Sequence, residues 1–133
     1  MEKIMIIDSD MHQMRLLSDV LSKEYHLLKC GRGSKAMELF HLYQPSALIL
    51  DPIAAELNGR AFVRQIRSLP YRGHIPILAV TCITTMKHVE ESFDWGVDVV
   101  FSKPFEGDRI AKKLRDYLDR SGSLVRREPA GTF

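Results

Sequence analysis

Two carboxylates, a hydroxyl and an ammonium stand at the ends of four apolar runs in this chain. Asp8 follows "IMII", Asp51 follows "ALIL", Thr81 closes "ILAVT", and Lys103 follows "VVFS". Neighbouring carboxylates repel unless a cation lies close by. Brought to one spot, these four side chains form a phosphoryl-transfer set: a nucleophilic carboxylate, a metal-binding carboxylate, a hydrogen-bond donor and a positive clamp.

The elements that must converge them alternate strictly. Apolar strands are predicted at residues 4–7, in "YHLLKCG" ending at Gly31, at 47–50, at 77–81 and at 99–101. Helical patterns fill the gaps. The first runs from an Asp10 N-cap, with Gln13 in the capping-box position, to about residue 24, and buries Met14, Leu17, Val20 and Leu21. The second, "SKAMELFHLY", turns Met37, Leu39 and Phe40 inward and stops before Pro45. Asn58 caps the third, which buries Phe62, Val63, Ile66 and Leu69. The fourth, "TTMKHVEESFDW", stops at Gly96. The fifth spans roughly 106–120 and buries Ile110, Leu114, Tyr117 and Leu118. Strands that are apolar throughout imply a parallel sheet covered on both faces, an α/β doubly wound fold. In such sheets sites form beyond the carboxyl ends of the strands, where the four residues stand.

The chain has 133 residues and a formal net charge of +2, which excludes neither a full core nor a soluble surface and does not imply nucleic acid. No apolar run approaches the ~20 residues of a membrane helix, and no signal peptide is visible, so the expected location is cytoplasmic, with no membrane partner. Residues 1–120 are expected to form the domain, and residues 121–133, which lose the periodic pattern, a flexible tail or the start of a linker.

The four motifs in order resemble the receiver domain of bacterial two-component response regulators over about residues 3–120. "IMIID" resembles its first strand and acidic pair. "PSALILDPIAAELNG" resembles its third strand and phosphoacceptor, with Gly59 eight residues beyond Asp51. "IPILAVT" holds its hydroxyl residue and "GVDVVFSKPF" its Lys-Pro pair. The resemblance implies a flavodoxin-like strand order, 2-1-3-4-5. It also implies that Asp51 accepts a phosphoryl group from a sensor histidine kinase, a histidine phosphotransferase or acetyl phosphate. Mg²⁺ would be held by Asp8, Asp51 and the backbone carbonyl of Ile53. Thr81 and Lys103 would bind phosphoryl oxygens and relay the signal to the face of the fourth helix, fifth strand and fifth helix. An unidentified downstream protein would read that face, with no direct nucleic-acid binding. With two strands between them in this order, Cys30 and Cys82 are expected too far apart for a disulfide.

Several positions depart from the pattern. Ser9 replaces the second acid, so it would be at best a weak, neutral Mg²⁺ ligand. Asp10 reads as a helix cap rather than a replacement ligand. Pro52 cannot donate an N–H, Ala55 replaces a proline, Val100 replaces a switch aromatic, and Val99 replaces an Asp of one dimer mode. These changes leave open a pseudo-receiver, a protein-binding module that does not use phosphate. A third reading, a haloacid-dehalogenase-type phosphatase, rests on "DSD" but has His12 where that motif needs Thr. Arg60, Arg64 and Arg67, and the cluster Arg109, Lys112, Lys113 and Arg115, read as solvated helix faces. Exposed His12 is the expected bland reading of that residue, with phosphodonor docking as the alternative.

Overall fold

The computed structural model describes residues 1–120. The expected tail at 121–133 lies outside them. Five strands, β1 (Lys3–Ile7), β2 (His26–Cys30), β3 (Ala47–Leu50), β4 (Ile77–Thr81) and β5 (Val99–Ser102), form one parallel sheet in the order β2-β1-β3-β4-β5. Five helices follow them in turn: α1 (Met11–Leu21), α2 (Ala36–Tyr43), α3 (Gly59–Arg67), α4 (Met86–Trp95) and α5 (Gly107–Arg120). This is the strand order that the resemblance implied.

Strands β1, β3, β4 and β5 carry buried apolar runs because both faces are covered there, whereas the edge strand β2 exposes His26 and Lys29. Successive side chains point to opposite faces. Ile4, Ile6, Ile49, Leu78, Val80, Val99 and Phe101 pack with Met14, Leu17 and Leu21 of α1 and Ile110, Leu114 and Tyr117 of α5. Met5, Ile7, Leu48, Leu50, Ile77, Ala79 and Val100 pack with Phe40 of α2, Phe62, Val63 and Ile66 of α3, and Val89 of α4. Burying a Leu, Ile or Phe side chain contributes about 1.5–3 kcal/mol, so two continuous cores hold the sheet in place.

The helix starts follow capping chemistry. The Asp10 carboxylate accepts the N–H groups of His12 and Gln13, and Asn58 accepts that of Ala61. Some boundaries differ from the sequence pattern. Helix α1 ends at Leu21, three residues early, and Gln13 does not close the capping box: its Oε1 is buried without a hydrogen-bond partner. A 3₁₀ turn at Gly33–Lys35 precedes α2, in which Ala36 and Phe40 are buried while Met37 and Leu39 are only partly so. Helix α4 begins at Met86 behind a Thr85 cap. The thiols are free, with Cys30 buried and Cys82 exposed. Among the described residues no helix is long and apolar enough to cross a membrane.

Gly59 has a steric cause. A Cβ there would lie 2.8 Å from the carbonyl oxygen of Pro52, so the start of α3 packs directly on the residue after Asp51.

One of the three arginines expected on a solvated face is not solvated. Arg60 and Arg64 are exposed. Arg67 instead pairs with Asp98, Nη2 to Oδ2 at 2.8 Å, with side chains 13% and 3% exposed. Its Nε donates to the Gly96 carbonyl at 2.8 Å and its Nη1 to the Gly73 carbonyl at 2.9 Å. Asp98 Oδ2 also accepts the Ile77 N–H at 2.9 Å. The pair therefore ties α3, the turn before β4 and the turn before β5. Removing one member leaves the other charge buried and uncompensated. Asp98→Ala is expected to lower the urea-unfolding free energy by about 3–5 kcal/mol. A loss no larger than that of Arg60→Ala would contradict this role.

Candidate functional site

Strand register places the acids side by side. Ile7 and Leu50 are paired as the last residues of β1 and β3, so Asp8 and Asp51 emerge together, and the Asp51 N–H donates to the Ile7 carbonyl at 2.9 Å. On the other side, Thr81 pairs with Ser102, and the Lys103 N–H donates to the Thr81 carbonyl at 2.8 Å. The four residues singled out from the sequence thus stand at one end of one sheet.

The side chains converge as well. Lys103 Nζ donates to Asp8 Oδ2 and Asp51 Oδ2, each at 2.8 Å. Asp8 and Asp51 are 2% and 7% exposed, and Thr81 is fully buried. Asp8 Oδ1 accepts the Asp10 N–H at 2.9 Å, and Asp51 Oδ1 accepts the Ile53 N–H at 3.0 Å. An ionised carboxylate has about four acceptor sites, so both acids keep capacity for further ligands. Thr81 Oγ1 accepts the Ile83 N–H at 3.1 Å, which leaves its own proton to donate.

Burial pulls the Lys103 pKa down. Hydrogen bonds and charge attraction from Asp51 and Asp8 outweigh it and hold the ammonium above the ordinary lysine value of 10.5. Two carboxylates and one ammonium leave the pocket with a formal charge of −1.

The positions that depart from the sequence pattern have distinct placements. Ser9 Oγ accepts the Ala55 N–H at 3.1 Å, which commits one of its lone pairs. The Asp10 carboxylate caps α1, so "DSD" does not present a second acid to the pocket in the way the phosphatase reading requires. Val99 and Val100 are fully buried, one in each core. His12 is exposed and lines a groove with Met11, Arg15, Ser18, Asp19 and Lys29. Arg115 pairs with Glu24 at 3.3 Å on the surface.

Sequence reasoning missed the Ser9–Ala55 bond and the Arg67–Asp98 pair. A polar residue inside the "VDVV" strand entry was the only signal for the latter.

The sequence matches the family described as response regulator receiver domain over residues 4–115. It is 23% identical to the polar-differentiation response regulator DivK of Brucella anthropi, covering 88% of this chain and 96% of that protein. It is 24% identical to histidine kinase P4 of Formosa agariphila, covering 87% of this chain but 8% of the kinase. The chain spans 34% to 49% of the length of three other curated relatives that it matches. In fold it superposes on a CheY-like response regulator receiver domain protein from Methanospirillum hungatei with a TM-score of 0.83, at 16% identity, over 92% of this chain and 97% of that one.

The raised Lys103 pKa has a consequence at high pH. A group whose folded pKa exceeds its unfolded value stabilises the fold fully below the unfolded pKa, near 10.5. That contribution is lost as pH rises through the folded value. The stability difference between the protein and Lys103→Met is therefore expected to be constant from neutral pH to about pH 10 and to shrink above it, read by urea melts across the range. A difference that grows in alkali would reverse the sign and contradict the shared ammonium.

Proposed function

The chain belongs to the response regulator receiver domain family, and from that premise we propose that Asp51 is its phosphoacceptor. The observation that carries this reading is the Lys103 ammonium lying 2.8 Å from both Asp51 Oδ2 and Asp8 Oδ2. An Asp51 oxygen attacks the phosphorus of a phosphohistidine or of acetyl phosphate. The new O–P bond forms as the bond to the leaving group breaks, and the electron pair departs with the imidazole or the acetate. Lys103 balances the negative charge on the equatorial oxygens, and the Thr81 hydroxyl and the Ile53 N–H donate to them. Pro52 offers no N–H, so Ile53 is the first backbone donor after Asp51.

Asp8, Asp51 and the backbone carbonyl of Ile53 would hold Mg²⁺. Among the described residues no group of three or more His, Cys, Asp or Glu could hold a metal ion. A pair of carboxylates that keep unused acceptor sites suits Mg²⁺, which binds few protein oxygens and keeps several waters. When bound, Mg²⁺ supplies neutralisation of the charge on the phosphoryl oxygens. With Ser9 neutral and the pocket at −1, its affinity is weak.

Residues 1–120 form the receiver unit. The phosphodonor is a sensor histidine kinase or a histidine phosphotransferase, the location is cytoplasmic, and the output goes to a protein partner.

Intact mass after incubation with acetyl phosphate and Mg²⁺ tests the assignment. One phosphoryl group is expected on the protein and none on Asp51→Asn. A shift that persists in Asp51→Asn, or no shift with any donor, would overturn it.

The aspartyl phosphate is expected to persist. Ile53 and Ile83 stand at the two positions that shape water access, and neither can orient an attacking water. Ile83→Glu is expected to shorten the phosphoryl lifetime at least several-fold. An unchanged lifetime in Ile83→Glu would contradict the claim that the side chain at position 83 controls attack by water.

A further inference from the structure

We infer that Ser9 and the turn at 32–34 are positioning residues that fix the loop after Asp51, residues 52–57, from two sides. The inference rests on the assignment of Asp51 and Mg²⁺ above, and it gives Ser9 a role other than metal ligand.

Ala55 is gripped on both of its backbone polar groups. Its N–H donates to Ser9 Oγ at 3.1 Å, across 46 residues of sequence. Its carbonyl accepts the Gly33 N–H at 2.8 Å. The next residue is held as well: Ser34 Oγ donates to Glu56 Oε1 at 2.8 Å, and Arg32 Nε lies 3.8 Å from Glu56 Oε2. Glu56 has φ 62°, a left-handed conformation that a residue with a Cβ adopts only at a cost. The loop does not take that shape by local preference, so contacts from outside it must hold it.

Gly33 shows how close the approach is. A Cβ at this position would fall 2.3 Å from Leu57 Cα and Cβ and 2.4 Å from its N. Only glycine lets the turn before α2 lie against the loop. The loop's own turns then carry this placement back to the site. The Leu57 N–H donates to the Ala54 carbonyl at 3.1 Å, the Ala54 N–H to the Asp51 carbonyl at 3.0 Å, and the Ile53 N–H to Asp51 Oδ1 at 3.0 Å. Ile53 stands two residues before the gripped Ala55, and it carries both the proposed metal-binding carbonyl and the first backbone donor.

Ser9 thus acts on the metal through Ala55. Its hydroxyl needs an N–H at position 55, and alanine supplies one. The metal-binding oxygens depend on the 32–34 turn in the same way, although that turn contributes no ligand.

The test uses the full chain and four variants: Ser9→Ala, Ser9→Thr, Gly33→Ala and Ser34→Ala. Two readouts are taken: amide hydrogen exchange without metal, and the Mg²⁺ concentration for half-maximal phosphorylation by acetyl phosphate. Losing one such hydrogen bond corresponds to about a two- to tenfold change. Ser9→Ala is expected to speed exchange at both Ala55 and Ile53 by about that factor and to raise the Mg²⁺ requirement. Ser9→Thr keeps the hydroxyl and restores both. Gly33→Ala is expected to raise the Mg²⁺ requirement from the opposite side; Ser34→Ala does so more mildly and stands in for it if Gly33→Ala does not fold. Unchanged Ile53 exchange in Ser9→Ala would overturn the inference. A raised Mg²⁺ requirement in Ser9→Ala with none in the 33 and 34 variants would also overturn it and mark Ser9 as a direct ligand. Failure of the unmodified protein to take a phosphoryl group would instead strike the Asp51 assignment, and the exchange at Ala55 and Ile53 would still decide whether the loop is held from both sides.

Discussion

The ammonium of Lys103, shared between Asp8 and Asp51, is the interaction on which the arrangement depends. Two buried carboxylates on adjacent strands repel, and burial strengthens the repulsion. One cation at 2.8 Å from both removes most of that cost. The sheet order makes this reach necessary. Lys103 follows β5, and β4 lies between it and β3. The long lysine stem therefore passes the end of β4, where Thr81 stands, to meet the acids. A shorter cation at the end of β5 could not do this.

The same charge arithmetic links stability to the proposed chemistry. The pocket keeps a formal charge of −1 with Lys103 in place, which is the charge that a divalent cation would meet under the proposed function. A third acid at position 9 would have shifted that balance. The chain has a serine there, and its hydroxyl is engaged with the backbone of the loop beside Asp51.

Much of the fold was legible in the sequence because its signals are local. Short apolar runs located four of the strands, the mixed stretch "YHLLKCG" gave the edge strand β2, and Asp10 and Asn58 marked helix starts through bonds to residues two or three positions away. Asp8, Asp51, Thr81 and Lys103 could be collected because each ends a strand, and parallel strands end on one side. The parts that stayed hidden are long-range and polar. Arg67 reads as one more exposed arginine at helical spacing, and only folding brings it to Asp98, 31 residues away. Ser9 reads as a lost metal ligand, and nothing local points to Ala55. Gln13 fits the capping-box spacing, yet the Asp10 N–H that its side chain would accept already donates to Asp8 Oδ1. Loop-to-loop hydrogen bonds carry no periodicity, so pattern reading does not find them.

The most direct test of the central claim is to locate the phosphoryl group chemically. Borohydride reduces an aspartyl phosphate to homoserine, and peptide sequencing by mass spectrometry then reads the position. After treatment with acetyl phosphate and Mg²⁺, homoserine is expected at position 51 alone. Homoserine at position 8 or 10, or its absence from a protein that has gained phosphate, would contradict the account.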